Sequence, residues 1–384
     1  MSDSPWRNPN TAIVHAGRDL HMAAGQPFNP PVVRWSSVIY DDLDSLQKAE
    51  KDGNISYGSN GNPTAQALAD WITTLEGGAG TCLYSTGLAA IAQVLLFFLR
   101  PGDHVLLTDA IYGPVRRLAT EYLRPMGIEF DYYRATQSDL ANQIRPNTRM
   151  IYAEVPGSQT FEMADLPALA ALCKARGLML VADNSWGSGL LYSPLRLGAD
   201  ISVMALTKYI AGHSDLLMGS ITANVTYWPQ LRHLNQVVGN TVSPDDAYLV
   251  LRGARSMAAR LKMHQNNALQ VAKWLLQNPA VARVHYLALP EDPGHGLFLR
   301  DCKGANGLLS FEFSNPDAWL VKPFVAALKL FKVAYSWGGH ESLVIPVEQH
   351  RIPDAKGPAL RLHVGLEDPA DLIADLQAGF AAIR

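Results

Sequence analysis

Cysteine is scarce in this chain. Cys82, Cys173 and Cys302 lie far apart in 384 residues. They form neither a metal-ligand spacing nor a disulfide framework, and a reducing cytoplasm is the expected compartment. The eleven histidines show no paired ligand spacing, so no metal site is expected. There is no basic patch or tail, and the formal net charge is -3. Nucleic acid is therefore not an expected partner. The longest apolar runs, such as Val94-Leu95-Leu96-Phe97-Phe98-Leu99, fall far short of the roughly 20 residues that span a bilayer. The N-terminal residues Met1-Ser2-Asp3-Ser4-Pro5-Trp6-Arg7 lack an apolar signal core. No membrane association is expected. Internal repeats and low-complexity segments are absent as well.

Lysine is thin in one long region, and that makes the exception informative. Between Asp52 and Leu261 only Lys174 and Lys208 occur. Lys174 lies in an apolar-periodic segment that ends at Gly177, which reads as an amphipathic helix with the amine free to reach water. Lys208 follows the apolar run 201–206 and precedes Tyr209-Ile210-Ala211-Gly212-His213-Ser214-Asp215. An amine after a buried strand either reaches water at the strand end or has a partner or a task. A desolvated lysine loses its proton readily and attacks aldehydes.

The length of 384 residues, with 48% hydrophobic and 17% charged residues, exceeds one ordinary core and implies two domains. Residues 1–60 are rich in Pro, Asn and Gly with little sustained periodicity, which reads as an arm. Over residues 61–254 helical segments (63–75, 88–99) alternate with short apolar strands (81–84, 104–108, 150–155, 178–182, 201–206). Continuous apolar strands separated by helices indicate a mostly parallel sheet covered on both faces, a three-layer α/β/α domain. Over residues 255–384 a long helical stretch, 256–277, leads to strands at 281–286, 308–313, 332–337 and 360–364. A last helix starts at Asp368 as cap with Pro369 in first position. This reads as a smaller α+β domain.

Ligands of open α/β sheets bind at the carboxyl ends of the strands. Asp183, Tyr112, Thr207 and the turn Ser85-Thr86-Gly87-Leu88 all fall at such ends. The turn joins a strand to a helix start and offers hydroxyls and free N–H groups, a seat for phosphate. Together these parts suit pyridoxal 5'-phosphate, with Lys208 bonding its aldehyde, Gly87 and Leu88 at its phosphate and Asp183 at its ring nitrogen. Each residue also has an ordinary reading: a loop cap, a plain turn or a packed rim tyrosine.

The sequence resembles the Cys/Met-metabolism family of pyridoxal-phosphate enzymes, of fold type I. The resemblance runs over nearly the whole chain. It is carried by Val155-Pro156-Gly157-Ser158, Asp183-Asn184-Ser185-Trp186, the stretch from Thr207 to Asp215, Tyr335-Ser336-Trp337-Gly338-Gly339-His340-Glu341-Ser342-Leu343 and Arg361-Leu362-His363-Val364-Gly365-Leu366-Glu367-Asp368. The branch it most resembles is that of the bacterial cystathionine β-lyases. The resemblance implies a carbon–sulfur β-lyase that converts L-cystathionine to L-homocysteine, pyruvate and ammonia. An amino-acid racemase and a γ-lyase or γ-synthase on the same scaffold are the alternatives. A cofactor binder without turnover is disfavoured, because Lys208, Asp183 and Arg361 are retained together.

By position, Lys208 matches the cofactor-bonding lysine and proton shuttle, and Asp183 the pyridinium partner. Tyr112 matches the ring that stacks on the cofactor. Gly87 and Leu88, with Ser85 and Thr207, match the phosphate turn. Arg361, with Ser336 and Trp337, matches the substrate carboxylate site. Tyr57 matches a tyrosine given across a dimer interface, so a homodimer at least, assembled as a homotetramer, is implied. One departure stands out: Tyr57-Gly58-Ser59 has serine where the family pattern Tyr-x-Arg places an arginine for the partner's phosphate.

Overall fold

The computed structural model describes residues 8–17, 27–52, 54–137, 139–352 and 354–383. Its larger sheet has seven strands: β1 (Gly80–Tyr84), β2 (His104–Thr108), β3 (Glu129–Tyr133), β4 (Thr148–Glu154), β5 (Met179–Asp183), β6 (Ile201–Ala205) and β7 (Gly219–Ala223). Their order across the sheet is β1-β7-β6-β5-β4-β2-β3. Only β7 runs against the others. Strands β1, β2, β5 and β7 are buried at every residue. That is the expected state of a parallel sheet with helices on both faces, and it explains the unbroken apolar runs.

The covering helices follow local rules. Asn62 accepts a 2.8 Å bond from Ala65 N–H at the start of helix Pro63–Glu76. Thr86 accepts a 2.9 Å bond from Ala89 N–H at the start of helix Gly87–Phe98. These side-chain caps satisfy amides that the first helical turn leaves open. Lys174 is exposed on helix Leu166–Arg176, as the sequence suggested.

The smaller sheet has the order β10-β11-β12-β9-β8. Its strands are β8 (Val281–His285), β9 (Leu308–Phe313), β10 (Lys332–Val333), β11 (Leu343–Pro346) and β12 (Ala359–His363). Phe311, Phe313, Phe324 and Phe380 form its aromatic core, with Phe324 and Phe380 edge to face at 4.9 Å. Asp368 caps helix Pro369–Ala381 through Ala370 N–H at 2.8 Å. Among the described residues no helix is long and apolar enough to cross a membrane.

One expectation needs correction. The strand expected over 332–337 stops at Val333. Ser336 and Gly338 take φ of +90° and +87°, a left-handed backbone that no strand contains. Residues 1–60, read as an arm, hold two short α-helices. Pro9–His15 is capped by Asn8, and Leu43–Lys51 by Asp42, which accepts a 2.7 Å bond from Ser45 N–H. Both are one to three turns long, too short for a periodic signal to stand out. Strand β7 was missed because Gly219-Ser220-Ile221-Thr222-Ala223 is not an apolar run. One of its hydroxyls, that of Thr222, pairs with that of Thr81 at 2.9 Å.

Candidate active site

Four strand ends of the large sheet, those of β1, β4, β5 and β6, carry the polar groups that matter. Asp183 ends β5 and is buried. One carboxylate oxygen accepts from Ser185 N–H at 2.9 Å, the other from the Tyr152 hydroxyl at 3.2 Å. Burial raises the Asp183 carboxyl, against the pull of those bonds and the charge of Lys208. Glu154 ends β4, directly opposite Asp183 in register. It accepts Tyr112 N–H at 2.6 Å. Burial, then the nearby Asp183, pushes the Glu154 carboxyl well above its ordinary range. Two carboxyls side by side cannot both ionise cheaply. Tyr112 itself lies just before helix Gly113–Leu118, partly exposed. Burial raises its phenol, with Glu154 next.

Lys208 follows β6 on a turn and is half-buried. Its Nζ donates to Ser336 Oγ at 2.7 Å and lies 5.3 Å from the Trp337 ring centre. Burial, then the positive charge of Arg361, lowers its amine from 10.5 to about 8. Arg361 sits on β12 and is 8% exposed. Its Nη2 donates to the Ser336 carbonyl at 2.9 Å, and its Nε is buried without a partner. Burial lowers the guanidinium to about 10. The small sheet thus brings a cation with an open donor next to the amine of the large sheet, and Ser336 touches both.

The turn after β1 forms the third part. Ser85 is exposed, and Leu88 is half-buried on the first turn of helix Gly87–Phe98. A Cβ on Gly87 would come within 2.7 Å of the Ala205 Cβ, so only glycine lets this helix start lie against β6. The first-turn amides and the helix dipole there favour an anion. The Thr207 hydroxyl donates to Met218 O at 3.2 Å and accepts from Met218 N–H at 3.0 Å. Both its roles go to the backbone, so in this state it shapes the turn and offers no free hydroxyl.

The family model of the Cys/Met metabolism PLP-dependent enzymes matches residues 10–381. The chain belongs to this family. A cystathionine beta-lyase of Bordetella avium is 43% identical over 391 residues, covering 98% of both chains. An L-alanine/L-glutamate racemase of Wolbachia pipientis is 36% identical, covering 97% of this chain and 96% of its own. Among solved structures, a cystathionine gamma synthase of Xanthomonas oryzae superimposes with a TM-score of 0.89 at 33% identity, covering 99% of each chain. The fold is that of the fold type I enzymes, and pyridoxal phosphate is the cofactor.

The residues of this PLP enzyme fit that group. A buried carboxylate such as Asp183 gains from a cation placed against it, which a protonated pyridine nitrogen supplies. The helix start at Gly87 suits the phosphate. The open Nε of Arg361 suits a substrate carboxylate. Ten of the eleven residues singled out from the sequence belong to this one region. Tyr57 is the exception. It is 53% exposed and pairs by an isolated bridge with Ser37. No hydrogen bond or ring contact joins it to the Lys208 cluster among the described residues.

Sequence reasoning missed Glu154 and Tyr152. Both lie on β4, and the strand-end argument that found Asp183 applies to Glu154 equally. Tyr152 had no signal of its own. Its hydroxyl meets Asp183 only because β4 and β5 are neighbours.

Proposed function

We propose that the chain is a carbon–sulfur β-lyase that takes L-cystathionine and water to L-homocysteine, pyruvate and ammonia. The observation that carries it is the meeting of Lys208 and Arg361 at Ser336, an amine and a carboxylate clamp on one residue. The relatives named as cystathionine beta-lyases support the choice of substrate.

Bound pyridoxal phosphate supplies an electron sink for charge left on the substrate Cα. Arg361 grips the substrate carboxylate through its fork and so sets which Cα bond faces Lys208. With its amine lowered to about 8, Lys208 has a sizeable neutral fraction near neutral pH. It takes the Cα proton as general base. The Cβ–S bond then breaks and the thiolate leaves, and Lys208 can return the proton. Asp183 would hold the ring nitrogen, while Ser85, Gly87 and Leu88, on a turn that Thr207 shapes, would frame the phosphate. Tyr112, its backbone anchored by Glu154, would pack against the ring. Trp337 and Ser336 wall the carboxylate site.

In this reading residues 1–60 are an arm that carries Tyr57 to the site of a second copy. The functional unit is then a homodimer, paired into a homotetramer. Racemisation is the second reading, favoured by the racemase at 36% identity. One assay separates the two. Purified holoenzyme is given L-cystathionine, and separately L-alanine and L-glutamate, while pyruvate and enantiomer ratio are followed. Pyruvate from cystathionine with unchanged alanine and glutamate supports the lyase. Enantiomer exchange without pyruvate overturns it.

A further inference from the structure

Ser336 has φ of +90° and Gly338 +87°. For serine that backbone is costly and persists only where the surroundings over-determine it. A Cβ on Gly338 would lie 2.7 Å from Tyr209 N and 2.8 Å from the Lys208 carbonyl carbon. The turn over residues 336–339 therefore lies on the backbone of Lys208 itself. Arg361 ties one end of it, through the Ser336 carbonyl.

The other end rests on a histidine that the chemistry above does not use. His363 is fully buried and stands two residues after Arg361 on the same strand, so both side chains share one face. Its Nε2 is 3.1 Å from Gly338 N–H and 3.0 Å from the Gly339 carbonyl. A neutral ring serves one of these at a time, as acceptor from the first or as donor to the second. Its Nδ1 is buried without a partner, and so is Nε2 of the neighbouring His264. His264 Nδ1 donates to the Val364 carbonyl at 2.9 Å, so its Nε2 is a bare lone pair. The two rings sit 5.1 Å apart. Tyr209, the residue after Lys208, packs on both rings and on Trp337, at 5.2, 5.9 and 5.3 Å.

The charged and titratable groups around His363 all act one way or are weak. Burial, then His264, Arg361 and Lys208 hold its ring well below the usual range, against the bond to Gly339. It stays uncharged at neutral pH and brings no charge to the site. Its use is geometric.

We propose that His363 is a positioning residue. By fixing the turn 336–339 from behind, it sets where Ser336 meets both Lys208 and Arg361, and so couples the carboxylate clamp to the base. This rests on the roles of Lys208 and Arg361 given under the proposed function.

The test uses holoenzyme carrying His363→Gln, His363→Met or His363→Phe. Glutamine can place an amide where Nε2 lies. Methionine and phenylalanine fill the space without a hydrogen bond. Three quantities are read: the pH midpoint of the bound cofactor's visible band, the spectral affinity for glycine as an amine-and-carboxylate probe, and KM against kcat for L-cystathionine. The Met and Phe variants are expected to move the midpoint and to weaken glycine and raise KM about tenfold, as for one lost buried hydrogen bond, with a smaller change in kcat. Glutamine restores most of it. Parental values in Met and Phe overturn the proposal, and so does a Gln variant as impaired as Met. If neither apolar variant gives holo-protein, His363→Asn replaces them. Its amide reaches only the Nδ1 position, so Asn impaired beside a restored Gln supports the role, and equal behaviour refutes it. A wild-type protein that does not cleave cystathionine sinks the lyase reading alone, since the glycine and pH measurements still decide the role of His363.

Discussion

The Lys208 region and the arm are built on opposite principles. Asp183 and Arg361 are buried, and the Lys208 amine and the Arg361 guanidinium are both held at Ser336. In the arm, large apolar side chains stand in water. Ile39 is 96% exposed and Tyr57 53%. Arg34 pairs with Asp245, but both are exposed, and such a pair contributes little. The residues around Lys208 find their partners within a single chain. The arm is arranged as though a further surface were to cover it, in keeping with the proposed second copy. The lesson is that a buried site needs desolvation to tune its amine, while an arm that crosses to a neighbour must leave its apolar groups uncovered in the single chain.

The largest effect is expected where both regions are set against each other. Lys208→Ala removes the base and the cofactor's anchoring amine, and turnover of L-cystathionine should fall by about four orders of magnitude or more. Tyr57→Ala should also impair turnover. Mixing the two variants under conditions that exchange subunits should recover activity, because a mixed dimer holds one site with neither lesion. No recovery in verified mixed dimers would place Tyr57 in its own chain's site and erase the contrast.

Next in size is the clamp. Arg361→Lys keeps the charge but loses the fork. KM should rise about 10- to 100-fold, in line with losing a charge-assisted bond, while the bound cofactor's spectrum stays nearly unchanged. A changed spectrum at normal KM would move Arg361 out of the substrate site.

A pH measurement sharpens the desolvation side. The folded chain holds Lys208 at about 8 against an ordinary 10.5. Below pH 8 both folded and unfolded chains carry the proton, and the fold bears the full cost. Between the two values the unfolded chain binds more protons, so stability rises with pH. Apo-protein carrying Lys208→Met should therefore melt above the parent at pH 7, and the gap should narrow towards pH 10. A gap independent of pH would mean that side-chain shape, not charge burial, sets the difference.

The smallest effect belongs to the arm. Ser59 lies on the short turn Gly58–Asn60. Asn62 is no substitute for a missing arginine, since it caps helix Pro63–Glu76 and donates to Val242 O at 3.2 Å. Ser59→Arg should tighten cofactor binding by up to about 1.5 to 3 kcal/mol and raise the melting temperature of the holo form only. Equal stabilisation of the apo form would point to a plain surface-charge effect.

Much of this molecule was legible in the sequence for local reasons. Apolar runs marked β2, β5 and β6 because strands buried on both faces need them. The capping residue Asp368 marked a helix start, because the first-turn amides need a nearby oxygen. Lys208, Asp183, Tyr112 and the Gly87 turn followed from one rule about strand ends. Tertiary structure alone decided the rest. The pairing of Glu154 with Asp183 depends on β4 and β5 being neighbours in register. The turn at Ser336 could not be read from residues that look like a strand, because its left-handed backbone is held by Lys208, Arg361 and His363 from elsewhere in the chain. Sequence determines what each residue prefers over a few neighbours. Which groups meet across more than a hundred residues, and which of them lose water, depends on packing, and that is what sets the amine of Lys208 near neutrality.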